Sequence, residues 1–303
     1  MKWPRNITLC EVGPRDGLQN EAARLSTEEK IKWIDSLTDS GFSFIEVSSF
    51  VSPMWIPALA DAEEVLQGIR RQPGVVYSAL VPNERGLERA LRAKVDAVAV
   101  FMSASESHNK SNINKTIEET FPVLRPVIDG AKQENLPVRG YVSTVFGCPY
   151  EGEVDPNQVV KVATKLLEDG VDEISLGDTI GVSTPTKTAR VLEAVLKEIP
   201  LEKIALHMHD TRGTALANIM VGLEYGITRY DSALGGLGGC PYAPGAAGNV
   251  ATDDLVYLFK DSDVETGVNR EKMNASLELL EQLVKHTLPS HTSSYLRSRG
   301  WKE

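Results

Sequence analysis

The chain is poor in cysteine and in positive charge, and each shortage closes off a class of protein. Three cysteines, Cys10, Cys148 and Cys240, in 303 residues are too few and odd in number for the disulfide framework of a small secreted fold, so a reducing compartment is expected. Lysine and arginine number 32 against 42 aspartates and glutamates, a net charge of -10. A surface of that sign disfavours general nucleic-acid binding and anionic membranes. No apolar run approaches the length of a membrane span, and the chain passes almost directly from Met1 to the apolar stretch at Ile7 with no signal-peptide pattern. The expectation is a cytoplasmic protein that acts on small molecules.

What is present is an alternation. Short β-branched or apolar runs begin near Ile7, Ser43, Val75, Asp96, Val138, Asp172, Lys203 and Thr228, and segments of helical period fill the gaps between them. Ser26 and Glu29 form a capping-box pattern ahead of the first helix, which ends at Gly41, while Asp155-Pro156 and Thr184-Pro185 open later ones and Thr252 or Asp253 is placed to cap the helix after the eighth strand. Eight βα units predict a closed (β/α)8 TIM barrel over about 7–260, with a doubly wound open sheet as the alternative. From Val264 a helical pattern continues through Met273, Leu277, Leu280 and Leu283 before Pro289 breaks it. A single domain with an appended C-terminal helical segment, about 264–300, is expected.

In a barrel, chemistry belongs at the C-terminal ends of the strands, and several runs place it there. His207-Met208-His209 aims two of the chain's five imidazoles at one face of a strand, which is ligand geometry unless both are satisfied core histidines. The turn after strand one carries Arg15 and Asp16, readable also as a solvated arginine beside a capping aspartate. Glu46 sits inside the apolar run Phe44-Ile45-Glu46-Val47-Ser48 and needs a partner if it faces inward, for which Arg15 is the candidate. Asp178 ends strand six as a rim carboxylate or an ordinary turn residue. The loop from Gly235 to Asn249 holds many glycines around Cys240, a composition that allows a mobile flap or close backbone approach to a ligand. Asn249 is either a helix cap or a metal ligand. Asp16, His207, His209 and Asn249 together supply two oxygens and two nitrogens, a set that favours Mg2+ or Mn2+, with catalytic zinc as an alternative.

These residues resemble the 3-hydroxy-3-methylglutaryl-CoA lyases, within a larger superfamily of metal-dependent lyases and synthases on TIM barrels. The likeness runs from Ile7 to about Phe259, and its most specific element is Gly-Gly-Leu-Gly-Gly-Cys-Pro-Tyr-Ala-Pro-Gly-Ala-Ala-Gly-Asn at 235–249. The resemblance implies Asp16, His207, His209 and Asn249 as metal ligands, with Arg15, Glu46, Asp178 and Cys240 as groups assigned to chemistry. It implies retro-Claisen cleavage of 3-hydroxy-3-methylglutaryl-CoA to acetoacetate and acetyl-CoA, as in leucine degradation and ketone-body formation, and a homodimer. Arg15 would stabilise the enolate and Cys240 would deliver a proton, while Asp178, His207 and a coordinated water remain alternatives for the base. For the CoA arm of the acyl-CoA substrate, the basic and amide-rich run 108–115 offers Lys110 and Asn112 as contacts, with a plain capping loop as the rival reading. A Claisen-type isopropylmalate or homocitrate synthase shares Arg-Asp-Gly and His-x-His but not the thiol loop. A non-catalytic, metal-stabilised binding scaffold is the third reading.

Overall fold

The computed structural model describes residues 3–239 and 248–302. Eight strands, β1 Thr8–Glu11, β2 Phe44–Ser49, β3 Val76–Leu80, β4 Ala97–Ser103, β5 Val138–Ser143, β6 Glu173–Asp178, β7 Ile204–Met208 and β8 Arg229–Ser232, pair in sequence order and close into a barrel. All the pairings are parallel, and the ring closes through the register Thr8↔Arg229 to Glu11↔Ser232. Every strand begins within one residue of the onset expected from the apolar runs. The closed ring excludes the open doubly wound sheet.

Between strands lie α1 Thr27–Asp39, α2 Ala62–Gly68, α3 Glu84–Arg92, α4 Glu106–Ile113, α5 Ile117–Gln133, α6 Pro156–Glu168, α7 Pro185–Val195 and α8 Ala215–Glu224. Their starts are set locally. Ser26 Oγ accepts from the Glu29 amide at 3.2 Å while Glu29 Oε2 accepts from the Ser26 amide at 2.7 Å, the reciprocal pair anticipated for α1. Asp155 and Thr184 cap α6 and α7, each followed by a proline whose missing N–H is harmless there. After β8 come α9 Thr252–Leu258, α10 Arg270–Val284 and α11 His291–Ser298. α10 packs on α1 and α11 on α9, so the C-terminal helices cover barrel helices.

The barrel interior holds a polar layer beside a small apolar cluster of Leu80, Ala99 and Tyr141. Arg139 on β5 is buried between Glu173 of β6 and Asp231 of β8, at 2.7 Å from each, and Glu173 also pairs with Arg229. The Arg139 and Arg229 guanidiniums both lie over the Phe44 ring. Burial pushes the nearby Cys10 thiol up to about 12 despite the two arginines, so it is an inert wall group.

Candidate active site

Where β1 ends, Glu11 is fully buried and accepts three hydrogen bonds: from the amides of Gly13 at 2.9 Å and Leu234 at 3.0 Å, and from Thr252 Oγ1 at 2.7 Å. One carboxylate thus clamps the turns after β1 and β8 to the start of α9. Over Gly13–Gly17 the chain makes one wide turn in which the amides of Arg15, Asp16 and Gly17 all point at the Val12 carbonyl. Gly238 comes against this turn. A Cβ on Gly238, whose φ is +100°, would lie 3.0 Å from Gly17 Cα and 3.1 Å from Asn249 Nδ2, so the two backbones touch where any side chain would separate them.

The turn projects Arg15 and Asp16 inward. Arg15 Nε donates to Glu46 Oε2 of β2 at 2.5 Å, its other arm donates to Asp16 Oδ1, and its guanidinium lies 5.2 Å from the Tyr141 ring centre. Arg15 therefore bridges two carboxylates in a buried setting. Burial raises the Glu46 carboxyl against the pull of Arg15, and its second oxygen, Oε1, has no hydrogen-bond partner among the described residues. Asp16 goes the other way. Burial would raise it, but the charge of Arg15, with the Asn249 hydrogen bond among the lesser causes, outweighs that and the carboxyl is held at about 2.

His207 lies on β7 and His209 just beyond it, with the fully buried Met208 on the opposite face. The two Nε2 atoms face each other at 3.2 Å, and Asp16 Oδ2 is 3.8 Å from His207 Nε2. One ligand atom each from Asp16, His207 and His209 falls within a 4.8 Å cluster. Asn249 completes it. It bridges to His209 through the backbone and donates Nδ2 to Asp16 Oδ2 at 2.8 Å, while its Oδ1 is buried without a partner among the described residues. Opposed imidazole nitrogens, a carboxylate and an orphaned amide oxygen are donors that a divalent cation would satisfy together. Burial, reinforced by His207, lowers His209 to about 4, which keeps its ring neutral and able to ligate.

A family model described as HMGL-like matches residues 6–280. The chain belongs to the HMGL-like family. The crystal structure of the Bacillus subtilis HMG-CoA lyase is 51% identical and superposes with a TM-score of 0.97, covering 98% of this chain and 100% of that one. A 3-hydroxy-3-isohexenylglutaryl-CoA/hydroxymethylglutaryl-CoA lyase of Pseudomonas aeruginosa is 51% identical over 269 residues, 89% of this chain and 90% of its own. An HMG-CoA lyase from Acinetobacter baumannii, solved in complex with coenzyme A and 3-methylmalate, is 38% identical with a TM-score of 0.91 over 97% of this chain and 96% of that chain.

In this HMGL-like chain the structure gathers Arg15, Asp16, Glu46, His207, His209 and Asn249 and leaves others apart. Asp178 stands apart from the cluster. It stands level with Met208 in the sheet, hence on the face opposite His207, and its two oxygens accept from the amides of Val182 and Ser183 at 2.9 Å each. Burial raises it to about 6 in spite of those amides, which tie it to the turn after β6. Run 108–115 is also not the loop expected. It is mostly α4, where exposed Lys110 pairs with Glu106 at 3.3 Å and Asn112 is exposed. Asn249 does not cap α9, whose N-cap position is Ala251, and Thr252 and Asp253 lie inside the helix. Cys240 lies outside the described residues.

Sequence reading missed Glu11, Arg139, Tyr141 and Asp231. Asp231 Oδ2 is 3.1 Å from His207 Nδ1, and the Tyr141 ring stands edge-on to His207. The missed signal was a charged residue in each of three buried strands, β1, β5 and β8, the same signal that singled out Glu46.

Proposed function

We propose that this protein is a carbon–carbon lyase that cleaves 3-hydroxy-3-methylglutaryl-CoA to acetoacetate and acetyl-CoA. The observation that carries this reading is a buried Asp16, His207, His209 and Asn249 cluster set directly beside the Arg15–Glu46 pair at the C-terminal rim. Asp16, His207, His209 and Asn249 would hold a divalent cation, Mg2+ or Mn2+ by the hardness of the oxygen donors. When bound, such an ion supplies the positive charge that makes a tertiary hydroxyl acidic near neutral pH.

The chain's own groups handle the remaining charge. Once the hydroxyl proton has passed to a base, for which Asp178 and His207 are this chain's candidates, the oxygen's electron pair becomes the second bond of the acetoacetate ketone and the broken carbon–carbon bond's electrons move into a thioester enolate. Arg15 is charged at every working pH and is held rigidly by Glu46 and Asp16, so it meets that enolate oxygen without reorganisation. Cys240 is the proposed donor of the proton that turns the enolate carbon into the methyl group of acetyl-CoA. We read the chain as one catalytic domain and a cytoplasmic homodimer serving leucine degradation and ketone-body formation.

Purified protein given 3-hydroxy-3-methylglutaryl-CoA and Mg2+ should release acetoacetate and acetyl-CoA in equal amounts. Release of free CoA from acetyl-CoA plus a 2-oxo acid would identify a synthase instead, and absence of both reactions would overturn the enzymatic reading.

A further inference from the structure

His207 carries two ring nitrogens, and only one can face the cluster with a lone pair. Its Nε2 faces His209 and Asp16, while Nδ1 lies 3.1 Å from Asp231 Oδ2. Asp231 has no freedom to do anything but accept. Its Oδ1 is 2.7 Å from the Arg139 guanidinium, which never loses its charge, and its Oδ2 also receives the Ser175 hydroxyl at 2.8 Å. The carboxylate is buried, and the groups in direct polar contact with it are the Ser175 hydroxyl, the Arg139 guanidinium and the His207 ring.

We propose that Asp231, fixed by Arg139 and Ser175, is a positioning residue that places the proton of neutral His207 on Nδ1 and so turns the Nε2 lone pair toward the cation. The proposal rests on reading the Asp16, His207, His209 and Asn249 cluster as a cation site, and it adds the group that sets one ligand's tautomer. Carboxylates behind metal-bound imidazoles act in this way generally, and their loss weakens metal affinity about 10- to 100-fold.

Asp231→Asn tests the idea because the replacement keeps the shape and inverts the hydrogen bonding. Arg139 can only donate, so the new amide oxygen would face Arg139 and its NH2 would face Nδ1. His207 would then accept at Nδ1 and carry its proton on Nε2, where the cation belongs. Mn2+ titration of the metal-free protein followed by electron paramagnetic resonance should show affinity reduced about 10- to 100-fold, and nitrogen-15 spectra of the imidazoles should show the His207 proton moved from Nδ1 to Nε2. Arg139→Met is the contrast: it removes the structural ion pair, so it should lower thermal stability while leaving the proton on Nδ1. A folded Asp231→Asn with parent-like Mn2+ affinity would overturn the proposal. So would a metal-free parent whose His207 proton is on Nε2, a result that stands even if the variant does not fold. Neither measurement uses a CoA ester, so failure here is separable from failure of the proposed reaction.

Discussion

Arg15 is the residue at which structural and catalytic roles are hardest to separate, because one guanidinium serves Glu46, Asp16 and the proposed enolate. The pairing with Glu46 was legible from sequence: a carboxylate in an otherwise apolar strand demands a cation, and Arg15 was the cation at the adjacent rim. Asp231 makes the same demand, met by Arg139, and Glu11 meets its burial with three neutral donors instead, yet they sit at or next to the ends of four-residue strands, where a charge reads as the start of a loop. If Arg15 stabilises charge that develops only in the transition state, Arg15→Gln should lower kcat about 10²- to 10³-fold with little change in KM. Arg15→Lys should recover only part, since an ammonium lacks the fork. If Arg15 only neutralises Glu46, the double variant Arg15→Gln/Glu46→Gln should regain parent kcat and thermal stability, and steady-state kinetics with melting curves on the set distinguish the two.

Among elements, strands were easier to read than helices on the rim. Strand onsets follow from apolar runs that a closed parallel sheet buries on both faces. α4 escaped notice because its sequence, Glu-Ser-His-Asn-Lys-Ser-Asn-Ile, has no apolar stripe; it is held instead by the Ser105 cap and by buried Asn109, which accepts from the Ser103 amide and donates to Lys115 O and Thr120 Oγ1. The junction of α9 with α11 carries a pH dependence. Asp253 is buried and accepts from the Gly235 amide at 2.7 Å and from Ser290 Oγ at 2.5 Å, and burial together with the charge of Asp254 raises its carboxyl from 3.8 to about 7. Folding therefore favours the protonated form. Its contribution is fully present below about pH 4 and is lost as pH rises through about 7. Melting temperatures at pH 5 and pH 8 should fall more for the parent than for Asp253→Asn, which keeps the shape but cannot ionise; parallel losses would remove Asp253 from the account.

At the scale of the molecule, the barrel was legible because eight units of similar length leave few other ways to bury their strands. Cluster membership was legible only in part: strand alternation pairs His207 with His209, but nothing local says that Asn249 reaches Asp16 across 233 positions. A ligand bound by the folded state alone stabilises it by mass action. A divalent cation at 100 times its dissociation constant should add about 2.7 kcal/mol, and stripping it with a chelator should lower the melting temperature by roughly 5 °C in a chain of this size. Titrating Mg2+ or Mn2+ against melting temperature checks this, and a melting point indifferent to both cations would exclude them as ligands of the cluster.

The bond between Asn249 and Asp16 also dates the site within the life of the chain. Asp16 follows the first strand and Asn249 the last, and the Gly17–Gly238 contact that seats them exists only after β8 has paired with β1. Helices and neighbouring βα units can form early from local contacts, but the loop closed by this seam is nearly the whole polypeptide, and such contacts come late. A folding intermediate with most of its secondary structure would still lack an assembled site, so a cation that binds only the finished ring slows its opening without hastening its closure.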